Sequence, residues 1–465
     1  MTTFDSKLTR RGFFAGSFAA AMTPAAFAAA TPNGFREPPR DIPVVADADL
    51  IVAGAGPAGI SAAITAARMG KRVRLFEAHG ALGGIWTTGL LSCIIDFGRG
   101  DLTREITDRL DKLGARHKRH FDMRANNYIY EPEYLKVALE QMCEEAGVRF
   151  TFHSPVVAAY RDASGRNLET VVTESKSGRR AWRAPLFMDC TGDGDLAALA
   201  GCGFDLGGGN GNADQPASLM ALVRLENDAA SAPFSVNHPG YYTKDGQEAF
   251  AKKAKHALYD ELVAAGAEPS YAHPTLFRLR EGYYAFMANH EYGVKLDDAE
   301  AITAASVRAR REVWTMTEAL KRYHPDVWKG LTVIVTSEQL GHRAARRIHG
   351  RYTLTVEDLA AGKTFPAADV VSLGGFGVDI HAPRRSDQKD GEVIPAALRT
   401  GKGCPQPCYQ IPLRACQAAD RDNLYMIGRC ICGDFRSQAS YRVTGPAVGM
   451  GEGLARALVK GEFLV

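Results

Sequence analysis

Gly54-Ala55-Gly56-Pro57-Ala58-Gly59 spells G-x-G-x-x-G directly after a short apolar run, Asp49–Ala53, and at the head of a stretch with helical spacing, Ala58–Met69. Each glycine has its own task in holding a dinucleotide. Gly54 permits the tight turn, Gly56 lets the backbone approach a pyrophosphate, and Gly59 lets helix and strand pack closely. Pro57 and Ala58 open the helix, whose free N–H groups and positive dipole end face the phosphates. Glu77 lies 18 residues beyond Gly59, at the end of a second strand-like run, Arg72–Glu77. There a carboxylate accepts hydrogen bonds from ribose hydroxyls. Strand, fingerprint, helix, strand and terminal acid form one βαβ unit, a much more specific signal than the glycines alone.

These residues need a scaffold, and the sequence outlines one. Glu133–Gly147 places Leu135, Ala138, Leu139, Met142 and Cys143 on one helical face, with Pro132 at its start and Gly147 past its end. Strand-like runs follow at Val148–Phe152, Val156–Tyr160, Leu168–Glu174 and Leu186–Cys190. This alternation predicts an α/β fold: a Rossmann-like binding domain with a mainly parallel sheet. From about 205 to 395 long polar helices, near 247–265 and 298–323, and charged or glycine-rich loops predict an inserted α+β cap or substrate domain. A strand at Leu424–Ile427 and a small-residue helix near Ala447–Leu458 close the chain. The expected order is a linker at 29–47, the first part of the binding domain at 48–204, the cap at 205–395 and the C-terminal part of the binding domain at 396–465.

The leading residues 1–28 read as an address. Lys7, Arg10 and Arg11 precede a weakly apolar Ala/Gly/Phe stretch that ends in Ala26-Phe27-Ala28. The pair in Thr9-Arg10-Arg11-Gly12-Phe13-Phe14 resembles a twin-arginine signal, which implies export to the periplasm of a protein already folded. The stretch is too rich in Ala and Gly, and interrupted by Pro24, to make a stable membrane anchor. With 56 basic and 53 acidic residues and a net charge of +3, nothing favours nucleic acid or an anionic membrane as a partner.

Three further motifs choose the dinucleotide. Glu77-Ala78-His79-Gly80-Ala81-Leu82-Gly83-Gly84-Ile85-Trp86-Thr87-Thr88-Gly89 resembles the segment after the ribose acid in FAD-dependent oxidoreductases of the glutathione-reductase type. Asp189-Cys190-Thr191-Gly192-Asp193-Gly194-Asp195 is similar to that family's return to the dinucleotide. Asn423–Cys430 followed by Ser440-Tyr441-Arg442-Val443 resembles its C-terminal flavin motif. Gly341–Arg347 and Gly377–His381 resemble one branch, some members of which are xanthan-lyase-like. The resemblance implies FAD as cofactor. It places Gly83, Gly84 and Thr88 beside the diphosphate and ribityl chain, Val156 at the adenine, Gly192 near the diphosphate, and Gly428 and Arg429 near the ribityl chain. Thr444 and Gly445 come to the pyrimidine edge of the flavin, where a helix N-terminus stabilises the negative charge of the reduced ring.

Such a protein is expected to be an exported oxidoreductase, a dehydrogenase or oxidase that moves hydride or electrons between a small polar substrate and flavin, with an electron acceptor the sequence does not name. The alternatives are a reductase fed by a periplasmic donor, or an electron carrier without turnover. Oxidation of an alcohol or amine needs a base, and His381, after Gly374, Gly375 and Gly377, is the first choice, with His342 second. Either serves equally as a structural histidine. Arg343, Arg346 and Arg347 are spaced i, i+3, i+4, so at least two are expected to share a helical face that grips an anion or ties the cap together. Arg442 is expected to touch flavin or substrate. Nine cysteines include Cys404/Cys408 and Cys430/Cys432. Neither pair has the spacing of the family's redox disulfide, and no zinc-type ligand pairs accompany them.

Overall fold

The computed structural model describes residues 34–35, 37–96, 99–115, 127–208, 214–238, 247–383 and 409–460. The expected signal segment and the Cys404/Cys408 pair lie outside the described residues. The chain divides into a leading unit, Met1–Ile42, and a body, Pro43–Val465.

The body is built on a parallel sheet of five strands in the order Leu424–Met426, Leu186–Asp189, Leu50–Ala53, Val73–Phe76, Arg149–Thr151. Leu50 to Ala53 are all buried, as expected of a central parallel strand covered on both faces. One cover is the fingerprint helix, Pro57–Arg68, flanked by Pro132–Ala146 and by the C-terminal helix, Thr444–Lys460. The other is a second sheet, Val44–Val45, Gly178–Arg183, Leu168–Ser175 and Val156–Arg161. Trp182 of that sheet stacks at a tilt on Phe76 of the first, their ring centroids 4.9 Å apart. Chain ends far apart in sequence meet here. Ser61 Oγ in the fingerprint helix donates to Val448 O at 2.7 Å, and a Cβ on Gly451 would lie 2.4 Å from Ala58 O.

The cap carries a four-stranded antiparallel sheet, Thr275–Arg280, Tyr283–Met287, Ala221–Arg224 and Thr332–Thr336. The helices Gln247–Ala264 and Ala299–Tyr323 pack with it. The second begins where Asp298 accepts a hydrogen bond from Ala301 N, and buries Ala305, Ala309, Val313, Met316 and Leu320 along one face. The cap is shorter than the texture of its loops predicts. Arg347–Ile348 pairs with Phe204–Asp205, Val370–Gly374 pairs with Tyr409–Pro412, and Leu354, Leu359 and Val371 join the core of the binding domain. Residues past Arg347 therefore return to that domain before 395, because their apolar side chains are buried there. No described helix is long and apolar enough to cross a membrane.

Gly451→Ala is expected to force the C-terminal and fingerprint helices apart, because the added methyl meets backbone rather than a movable side chain. Overpacking of this kind costs about 1–3 kcal/mol, so thermal melting followed by circular dichroism should show a lower Tm than wild type.

Candidate functional site

The three fingerprint glycines have unequal surroundings. Gly54 sits at φ +92°, and a Cβ there would lie 2.5 Å from Cys190 O. A Cβ on Gly59 would lie 1.9 Å from Gly54 O. A Cβ on Gly56 would meet nothing within 4 Å, so open space lies against that backbone. No side chain caps the helix that Gly56 precedes. Gly83 N donates to Ala55 O at 2.8 Å, and a Cβ on Gly84 would press on Gly56 Cα at 3.0 Å. The result is a cradle walled by backbone amides and open where an anion belongs.

Glu77 is buried at the rim of this cradle. Its carboxylate accepts from Ala55 N at 2.6 Å and His79 N at 2.9 Å, which leaves lone pairs for ribose. Glu77 N donates to Thr151 O, and Ser154 N donates to Glu77 O. That ladder carries Val156 to the start of its strand beside the same rim. On the other side Gly192, at φ +81°, and Gly428, at φ +89°, bring two loops together, Gly428 facing the methyls of Ala58 and Ala447. Gly445 lies so close to Asp96 that a Cβ would overlap its carbonyl, and Thr444 Oγ1 accepts from Ile95 N at 3.3 Å.

The family model for FAD dependent oxidoreductases matches residues 49–459. This chain belongs to that family. Among solved structures it is similar to a geranylgeranyl bacteriochlorophyll reductase-like protein from Thermoplasma acidophilum, at 13% identity and a TM-score of 0.46 over 90% of this chain and 80% of that one. It is also similar to p-nitrophenol 4-monooxygenase from Pseudomonas putida, at 11% and 0.43 over 90% and 82%. The myxobacterial chondrochloren halogenase follows at 12% and 0.44 over 91% and 76%. No curated protein sequence matches. The open space at Gly56, the uncapped helix and the half-satisfied Glu77 fit FAD, the family's cofactor.

A second group of side chains in this flavoenzyme lies where cap and binding domain meet. His381 Nε2 is 3.3 Å from Asp379 Oδ2, and Arg442 Nη2 donates to Asp379 O at 2.9 Å and to its Oδ2 at 3.1 Å. From the cap, His290 stands edge-on to His381 with centroids 5.0 Å apart, and Tyr271 lies 4.0 Å from His290. Gln215 Oε1 accepts from His381 N at 3.1 Å. Arg343 Nη1 donates to Pro216 O and Ser218 Oγ. Asp379 keeps 46% of its side-chain surface open. Burial opposes its charge, but His381, Arg442 and Arg343 hold its carboxyl well below the usual range. Burial and Arg343 push the His381 imidazole down to about 4, against the pull of Asp379. Burial also pulls Arg442 down, to about 10.

The predicted residues divide. His381, Arg442 and Arg343 meet; Arg346 and Arg347 do not join them. Residues 341–350 form bends, bridges and a short strand rather than the expected helix, because their backbone pairs with Phe204–Asp205 and Ser218. Arg346 instead bonds Asp193 O and Asp195 Oδ1. Arg429 is tied to Gly192 O, Asp193 Oδ1 and His342 O, so it braces the return loop. Thr88 Oγ1 donates to Gly84 O and accepts from Gln339 Nε2, joining the cradle to the cap. His342 is pushed down to about 4 by burial and Arg429, and its Nε2 is buried without a partner. Cys430 and Cys432 are free and buried, and burial raises the Cys430 thiol, against redox use of its thiolate. Tyr271, His290 and Gln215 were missed. Two of them carry a local signal, a pair at i, i+2: Tyr271 with His273, and His290 with Tyr292; Gln215 carries none.

Gly56→Ala separates cofactor binding from folding. Gly56 has φ −68° and an extended ψ, so alanine fits without strain. The FAD-free variant should melt as wild type does, while its affinity for FAD, titrated by flavin fluorescence, should fall at least about tenfold, about 1.4 kcal/mol.

Proposed function

We propose that this FAD-dependent oxidoreductase oxidises a small polar organic molecule at a carbon that carries a hydroxyl or amino group, with His381 as the base. The observation that supports this reading most directly is the Asp379–His381 pair, 3.3 Å apart, where cap and binding domain meet and Asp379 keeps 46% of its side-chain surface open. An ionised Asp379 only accepts, so His381 Nε2 holds the proton toward it. His381 Nδ1 then keeps its lone pair for a substrate proton. Asp379 is in turn held by Arg442, so the imidazole keeps both its tautomer and its direction. FAD, when bound, supplies the two-electron acceptor for the hydrogen that leaves carbon with its bonding pair. The chain itself orients the substrate, takes the second hydrogen as a proton on His381 Nδ1, and covers the cavity with the cap.

Residues 1–28 support a further reading, export of the folded holoenzyme to the periplasm by the twin-arginine route, with removal of the segment near Ala28. The Arg10→Lys/Arg11→Lys variant should accumulate in the cytoplasm at full length, as fractionation and mass measurement would show. Equal periplasmic amounts would overturn export by this route.

His381→Gln tests the catalytic reading. Anaerobic bleaching of the visible flavin band by a panel of alcohols, hydroxy acids and amines should identify a reductant of the wild type. The variant should bleach about 10²–10⁴-fold more slowly with its FAD retained. Because the neutral imidazole is the active form, the wild-type rate should be flat near neutral pH and fall as pH drops through about 4. Unchanged bleaching in the variant removes His381 as base.

A further inference from the structure

Building on that reading, we propose that the cavity takes its substrate as a hydroxy acid, its carboxylate seated on Arg343 and Arg442 and its hydroxyl turned toward His290 and His381. Among the described residues, the charges in the site do not balance. Asp379 answers Arg442, at 3.1 Å. Arg343 is half-buried, burial opposes its charge, and no carboxylate among the described residues comes within salt-bridge distance of it. Its Nη1 meets two neutral oxygens, Pro216 O at 2.7 Å and Ser218 Oγ at 2.9 Å. Its Nε and Nη2 are left for something else. A partly desolvated guanidinium without a counter-ion is costly to keep. An anion that enters the cavity removes that cost.

The unpaired polar atoms around Arg343 show what the anion carries. Arg442 Nε and Gln215 Nε2 are buried N–H donors with no partner among the described residues. With the free edge of Arg343 they make three donor groups and one uncompensated positive charge, the complement of a planar carboxylate. His290 Nε2 is buried and unpartnered too. Tyr292 donates its hydroxyl hydrogen to Ser270 O at 2.9 Å and lies 3.3 Å from His290 Nδ1. Nδ1 therefore carries the hydrogen of that contact, and Nε2 presents a lone pair. Burial and Arg343 hold this imidazole far below its usual range, so it stays neutral. His381 Nδ1 is the second lone pair. Two neutral acceptors beside a donor-rich pole suit a hydroxyl next to a carboxylate. An ammonium group there would face the excess charge of Arg343, which disfavours amino acids.

The test uses FAD-loaded enzyme and a probe that cannot be oxidised, 2-hydroxy-2-methylpropanoate, whose reacting carbon has no hydrogen. Binding is read from perturbation of the visible flavin spectrum and from the thermal shift. The hydroxy acid should bind saturably. Its amide and 2-amino-2-methylpropanoate should bind at least tenfold more weakly, and inorganic sulfate should not compete at equal concentration. Arg343→Gln should weaken the probe about a hundredfold, and Arg343→Lys should recover only part of the loss, since an ammonium keeps the charge but not the fork. The wild-type panel decides the matter even if the variants fold poorly. Amide or sulfate binding equal to that of the acid overturns the assignment. Bleaching by uncharged alcohols without response to any acid also overturns it, yet leaves oxidation by His381 standing. Probe binding as expected, with no reductant found among hydroxy acids, overturns the oxidation reading and leaves the carboxylate seat intact.

Discussion

Everything in this molecule depends on how closely two helices approach. The fingerprint helix, Pro57–Arg68, lies against the C-terminal helix, Thr444–Lys460, with backbone on backbone at Gly451 and Ala58 and a buried hydrogen bond from Ser61 to Val448. Small residues allow that approach, and the approach brings Gly428 and the start of the C-terminal helix over the Gly56 cradle. Without it the chain would hold two halves of a cofactor site with no fixed relation. The cost of ordering so many residues between 70 and 420 is met by the buried core of both sheets, and the contact of the two helices converts that core into a site.

A second constraint acts one layer out. The binding domain ends its flavin side in Asp379, His381 and Arg442, while the cap supplies Tyr271, His290 and Arg343. Neither set is complete alone. Asp379 is the hinge of the electrostatics: it fixes the tautomer of His381, answers Arg442 and is itself held ionised by the neighbouring cations against the cost of burial. Among the described residues Arg343 is paired only with neutral oxygens, and the proposed carboxylate seat rests on that local imbalance. Charge complementarity in a deep cleft is more selective than on a surface, because little water remains to screen it.

The binding domain was largely legible in the chain. Gly54 takes a left-handed φ, Gly59 makes room for Gly54 O, Gly56 leaves the backbone open, and Glu77 sits at a strand end whose position follows from the length of one βαβ unit. The arginine stretch shows where periodicity fails. Arg343, Arg346 and Arg347 have helical spacing, but seven residues satisfy that pattern by chance, and pairing with Phe204–Asp205 and Ser218 holds the backbone extended. Their side chains consequently part, one to the cavity and one to Asp193 and Asp195. The cap boundary failed for a related reason: residues 347–383 have the texture of loops, and only their burial against distant strands shows where they belong.

The sequence by itself determined the dinucleotide cradle, because that rests on backbone geometry set within about thirty residues, and it pointed to the flavin through the resemblance of three motifs spread along the chain. Only the tertiary structure decided which polar residues share a cavity. Gln215, Tyr271, His290, Arg343, Asp379 and Arg442 are spread over more than 220 positions, and no local rule links them. They come together through the burial of two sheets and the closure of one helix on another, and the charge at Arg343 becomes costly only where that burial reduces its hydration.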